Sequence, residues 1–219
     1  TMEKLSVLGL QNETMSRDVL SIANQLTYDA NYLTQTVGIF NVPRNEFTHP
    51  LHQRMASYAQ QVAVEVGQML EWGLRNGEIS EQDLFAPQYM PIAGTSPEKF
   101  NTGFDAFCDR YLPEIQESLL QHDPEVTFAI LADHNGYVPT HNNAFCQPLT
   151  GDPKVDMAGN RTKRIFDDHV GRTVGRHEKP YLLQIYRRDT GVIMFDMSAP
   201  VYVNGRHFGG FRIGYKISD

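Results

Sequence analysis

The sequence predicts an α+β protein in which long N-terminal helices precede a five-stranded antiparallel sheet, with a helix-containing excursion laid over one face of that sheet. Three observations carry this. Apolar residues recur at helical spacing as far as His122. Beyond it, short β-rich runs alternate with turn residues. A long polar segment, 142–179, interrupts those runs after the second of them.

The first helix carries a seven-residue repeat: Leu5, Asn12, Val19, Leu26, Leu33 and Phe40 form one line, and Leu8, Met15 and Ile22 a second that breaks at Asp29 and Thr36. A double line of this kind is a seam for another helix, with Asn12 either fixing register or simply exposed. Gly9 weakens the opening turns. Val42-Pro43 ends the helix, because the residue before proline is pushed out of the helical region. A second helix is expected from Thr48 as N-cap, with Pro50 in its first turn, to a C-cap at Asn76-Gly77. Met55, Tyr58, Val62, Val66, Met69 and Gly73 form its apolar stripe, which Leu70 and Trp72 widen. Ser80 and Asp83 can cap a short turn ahead of an irregular, proline-rich link. The third helix is expected from Ser96-Pro97 onward, with Phe100, Phe104, Phe107, Tyr111, Ile115 and Leu119 on its stripe. Pro113 should kink or split it, and His122-Asp123-Pro124 stops it.

A strand over 126–132 then turns at Asp133-His134-Asn135-Gly136 and returns over 137–140. The excursion that follows holds one short helix around 161–168. Strands over 180–187, 192–203 and 206–217 close the chain, joined by turns at Asp189-Thr190-Gly191 and at Asn204-Gly205, the strongest two-residue hairpin signal. This order gives the sheet one face for the preceding helix and one for the excursion. A small pocket between sheet and excursion is inferred.

Composition narrows the function classes. A hydrophobic content of 41% over 219 residues can bury a real core, which argues against disorder. A formal charge of -7 argues against nucleic acid as a partner, since phosphate neutralisation needs a basic face. No stretch approaches the roughly 20 apolar residues that cross a bilayer, and no charged-then-apolar leader opens the chain. The sequence as given reads as soluble, although excised membrane flanks would leave its location open. Thr1 ahead of Met2 reads as an expression scar.

Cys108 and Cys146 stand in no CxxC or zinc-like pattern and read as free thiols, which excludes covalently attached haem. The histidines form no HExxH motif, and His49 and His52 flank a helix start. No nucleophile elbow, Walker motif or dinucleotide fingerprint is present. Asp133-His134 and Asp168-His169 are sequence neighbours and so point apart. The expectation is a protein that is not an enzyme.

Several motifs resemble a known family. The run ADHNGYVPTHN over 132–142 resembles the second-strand signature of Cache domains, in which an Asp-x-x-Gly turn precedes a strand ending near a histidine. NRTKRIFDD over 160–168, PYLLQIYRRD over 180–189, SAPVY over 198–202 and GRHFGGFRIGY over 205–215 resemble sensor domains of bacterial methyl-accepting chemotaxis proteins. The likeness covers roughly residues 78–217. It implies a PAS-like Cache head that binds a small molecule, a homodimer, and coupling to a chemoreceptor signalling region and its histidine kinase. QLTYDANYLTQTVGIF over 25–40 resembles the closing stretch of a chemoreceptor signalling helix, through Leu33, Val37 and Phe40. That would place the sensor in the cytoplasm; the alternative makes the helix the continuation of a membrane span, with a periplasmic sensor. The domain division expected is a helical dimerisation and signal-transmitting segment over 1–77 and a sensor over 78–219.

Around the presumed pocket, arginines recur in an otherwise acidic chain. Arg161, Lys163 and Arg164 belong to the excursion, Arg172 and Arg176 follow, and Arg187 and Arg188 end the third strand. A guanidinium fork matches a carboxylate in two places, so the cluster points to a short organic anion. Each arginine can equally be solvated or paired with Asp167, Asp168, Asp189 or Asp196. Strand alternation puts Gln184, Tyr186 and Arg188 on one face, taken here as polar pocket lining, against Leu183, Ile185 and Arg187 on the other. His141 and His169 are candidate partners for a carboxylate, or turn caps. The candidate ligand-binding set is thus His141, Arg161, Arg164, His169, Gln184, Tyr186 and Arg188. No cofactor or metal is expected. The alternatives are a non-covalent haem or metal sensor using His141, His169, His177 or His207, and a scaffold that only dimerises or docks a partner.

Overall fold

The structure is a computed structural model that describes residues 49–187 and 193–217, together with the helical, exposed Val19. The heptad lines over 5–40, the stop at Val42-Pro43, the cap at Thr48, the turn at Asp189-Thr190-Gly191 and Arg188 lie outside the described residues, Val19 excepted. The chain divides after Val42, and Pro43–Asp219 is one compact unit. That unit is α+β, with a central antiparallel sheet.

Helix α1 spans Pro50–Arg75. Its N-cap is His49, whose Nδ1 accepts from the Leu51 N–H at 3.2 Å, one residue later than the sequence suggested. It ends at Asn76, whose Nδ2 donates to the Trp72 carbonyl, and Gly77 takes a left-handed φ of 70° to turn the chain away. Of its stripe, Met55, Val62, Val66, Leu70 and Gly73 are buried, while Tyr58 and Met69 pack at the edge of the core.

Ser80 and Asp83 form a reciprocal capping box at the start of α2, Glu81–Phe85. The third helix does not begin at Ser96-Pro97. Residues Met90–Pro91 (β1) and Phe100–Asn101 (β2) pair as a small hairpin instead, and α3 spans Asp105–His122. The reason is Lys99. Its buried ammonium donates to the Asn160 side chain and to backbone carbonyls of Asn160 and Thr162, while Phe100 N–H donates to the Lys163 carbonyl. These bonds hold the segment extended until Asp105 gathers the Thr102 N–H and hydroxyl. Pro113 lies within α3 and does not split it.

The central sheet has four strands: β3 (Val126–Asp133), β6 (Leu182–Arg187), β7 (Ile193–Val203) and β8 (Arg206–Tyr215), in the order β3-β8-β7-β6, all antiparallel. The expected fifth strand is β4, Tyr137–Val138, which pairs with β5, Arg164–Ile165, in a separate two-stranded sheet. Side chains take up the bonds a fifth strand would have made. Asp133 accepts from the N–H groups of Asn135 and Tyr137, and the Asn142 side chain accepts from the Ala129 N–H of β3.

The excursion also departs from expectation. Residues 161–168 hold no helix, because Lys163 has a φ of 60° and its N–H, with that of Phe166, bonds to the β4 segment. The helices lie on either side. Helix α4 is Pro153–Gly159, capped by Asp152, and α5 is His169–Arg176, capped by Asp168.

Helix α1 lies across one sheet face. His52 near its start meets the Tyr215 hydroxyl at 2.6 Å, and near its end Glu71 accepts from the Asn204 N–H. At Gly67 an added Cβ would sit 2.4 Å from the Tyr202 carbonyl oxygen, so helix and strand approach closely there. Its buried side chains share one core with β3, β7 and β8, so a division at residue 77 cuts through that core. On the other face Phe128, Ile130, Ala132 and Met194 form a smaller core with Val138 and with Val174 of α5. No described helix is long and apolar enough to cross a membrane.

Candidate functional site

Between the second sheet face and the excursion lies a cavity of about 50 Å³. The sheet supplies Phe128 and Ile130 from β3, Arg212 from β8 and Tyr186 from β6. The excursion supplies His141, Arg161, Phe166, Asp168 and Val170.

Its floor carries a charge pair. The Arg212 Nε donates to Asp196 Oδ2 at 2.8 Å, and Nη2 donates to the same oxygen. Asp196 is fully buried and the Arg212 side chain is 7% exposed. Register explains the meeting: Asp196 faces Gly214 and Ser198 faces Arg212 across β7 and β8, so the pair is a diagonal on one face. Gly214 makes room, since a Cβ there would lie 2.0 Å from the Phe128 ring, and that ring centroid is 5.4 Å from the Arg212 guanidinium carbon. Tyr186 flanks it at 5.8 Å. Burial pushes the Asp196 carboxyl up, with Arg212 opposing; burial works against the Arg212 charge, but Asp196 overrides it and the net direction is up.

Arg212 spends only Nε and Nη2 on Asp196, and its Nη1 has no hydrogen-bond partner among the described residues. Gln184 stands opposite Asp196 across β6 and β7. Gln184 Oε1 and Asp196 Oδ1 are both buried without a partner among the described residues. The result is a polar strip, Gln184–Asp196–Arg212, under the cavity.

On the excursion side, Asn142 N–H donates to His141 Nδ1 at 2.8 Å, which leaves the proton of a neutral ring on Nε2. The ring is wedged between Phe128 and Phe145, at 5.8 and 4.9 Å between centroids. The guanidinium carbons of Arg161 and Arg164 lie 5.5 and 5.0 Å from the Phe166 ring centre. Asp168 uses Oδ1 to cap α5 through the Gly171 N–H.

Of the sequence candidates, His141, Arg161 and Tyr186 line the cavity together. Gln184 is on their face, buried beside Asp196, and Arg164 reaches the site through Phe166. His169 opens α5 outside the cavity lining, and Arg188 lies outside the described residues. Arg212 is absent from the sequence candidates, where Asp196 stands only as a possible ion-pair partner of the arginines. Asp196 is the single charged residue of β7, and Arg212 stands alone within the glycine-rich run of β8 that follows Arg206 and His207; a lone charge in such a setting is the signal that marks a buried pair.

Of the histidines considered for haem, His141 lines this cavity, His169 opens α5, His177 Nε2 meets Ser198 Oγ at 3.0 Å with His207 nearby, and His207 lines a different hollow. Among the described residues no group of three or more His, Cys, Asp or Glu side chains is arranged to hold a metal ion. Both cysteines are free, Cys108 buried and Cys146 half-buried. The chain matches no family model, no curated protein and no solved structure.

Proposed function

We propose that residues 43–219 form the ligand-sensing head of a methyl-accepting chemotaxis receptor, PAS-like in architecture, whose cavity takes a short organic anion. The observation that carries the reading is Arg212, a buried guanidinium whose Nη1 is left uncommitted at the wall of a small cavity. Its fork is held rigid by Asp196 on one side and by the faces of Phe128 and Tyr186 on the others. His141 and Arg161 line the same cavity from the excursion, so a carboxylate held by Arg212 would lie against both layers.

Size fits this class. A cavity of about 50 Å³ corresponds to roughly three to five water-sized volumes, the scale of formate, acetate or pyruvate and far below a haem macrocycle. The route outward is short. Arg212 and Tyr215 lie on the same strand but project to opposite faces, and Tyr215 meets His52 in the opening turns of α1. A ligand that shifts β8 therefore acts on the start of α1, directly after the segment with the heptad lines. In this reading that segment pairs two copies and passes the change to a histidine kinase from the cytoplasmic side. Calorimetric titration with formate, acetate, pyruvate and lactate tests the ligand class. At least one should bind saturably, and a flat response across all four would overturn it.

A further inference from the structure

A second hollow, about 240 Å³, opens at the end of the sheet where β3 turns into β4 and β7 into β8. We infer that it is a separate binding site for an aromatic carboxylate of the benzoate class, held by Arg206 above a floor of Phe85 and Phe208. This does not rest on the reading of the first cavity.

The floor is apolar: Leu84, Phe85 and Pro87 from the α2 segment and Phe208 from β8, with the two phenylalanines edge to face at 6.3 Å. A flat ring can continue that edge-to-face arrangement. An engineered apolar cavity of about 150 Å³ takes benzene, so about 240 Å³ has room for the ring and a carboxylate.

The rim supplies the charge. The Arg206 guanidinium carbon lies over Phe85, 4.0 Å from the ring centre, a cation–π contact that anchors the guanidinium beside the hollow. Among the described residues no carboxylate pairs with it. The acidic residue in the lining is Asp133, and its oxygens already accept from the Tyr89 hydroxyl and from the Asn135 and Tyr137 N–H groups. His134 and His207 complete the rim, perpendicular at 6.0 Å. His207 gives its Nε2–H to the Gly209 carbonyl, which fixes the ring and leaves Nδ1 as an acceptor. An anion with an aromatic body meets an anchored guanidinium and an aromatic floor; a purely aliphatic acid uses only the guanidinium.

The test is benzoate binding to the full chain, followed by ligand-observed NMR and calorimetry, in wild type, in Arg206→Met and in the Asp196→Leu, Arg212→Met double variant, which removes the buried pair without stranding either charge, each verified as folded by a cooperative melting transition. In Arg206→Met the methionine keeps the stem over Phe85 and removes the fork at an exposed position. Saturable benzoate binding is expected, weakened at least tenfold in Arg206→Met and unchanged in the double variant. No saturable binding in wild type, equal binding in Arg206→Met, or loss of binding in the folded double variant would each overturn the assignment.

Discussion

The two faces of the central sheet are made from alternate residues of the same strands, yet they are built to different ends. Under α1 the face is dry and apolar: Leu131, Met197, Ala199, Phe211 and Ile213 are all essentially inaccessible, with the His52–Tyr215 bond as a polar contact at one end. Under the excursion, Phe128, Ile130 and Met194 share the face with buried Gln184, Asp196, Ser198 and Arg212. The first face gains from every side chain it buries. The second carries a desolvated ion pair and two unpartnered acceptors, which cost stability that apolar residues would have gained. The contrast is between a face that contributes packing and a face that carries buried charge, which the proposed reading assigns to binding.

The sharpest way to break this contrast is to cut the pair. Asp196→Ala leaves Arg212 buried without its counter-charge and should cost about 3–5 kcal/mol in urea unfolding. Replacing both, Asp196→Leu with Arg212→Met, should recover that loss and can exceed wild type. On the dry face the expected effects come from packing. Gly67→Ala drives a Cβ to 2.4 Å from the Tyr202 carbonyl oxygen and should cost about 1–3 kcal/mol, with carboxylate binding unchanged.

A smaller effect lies at the edge of the polar face. Burial, helped by nearby His207, holds the His177 pKa down to about 4. A depressed histidine pKa means that the fold accommodates the neutral ring. Its contribution is complete above the ordinary value of about 6.5 and is lost as pH falls toward about 4. Discounted for the partial exposure of the ring, the loss is about 1–2 kcal/mol. The stability difference between wild type and His177→Gln, measured by urea melts from neutral pH down to about pH 4, should shrink by that amount. A constant difference would show that His177 is not held neutral.

Local signals made much of this legible. Alternation in LLQIYR placed Gln184 and Tyr186 on the polar face, Asn204-Gly205 located the β7–β8 turn, and Ser80 with Asp83 capped α2 as their spacing suggested. Long-range bonds decided what the sequence hid. The helix expected over 161–168 gave way because Lys163 and Phe166 bond to β4, while the Asp152-Pro153 and Asp168 caps beside it marked the helices that do form. The early start of α3 yielded to Lys99, whose partners are about 60 residues away. Arg212 escaped notice because a glycine-rich strand reads as backbone packing, and only the β7–β8 register reveals that Asp196 lies diagonal to it.

If the polar face serves a ligand and not stability, removing its buried pair should abolish binding without weakening the fold. Acetate and pyruvate are titrated into wild type and into the Asp196→Leu, Arg212→Met double variant, with the unfolding free energy of both measured alongside. Saturable binding is expected in wild type and none in a double variant that is at least as stable. Equal binding by both proteins, or a double variant much less stable than wild type, would contradict that expectation.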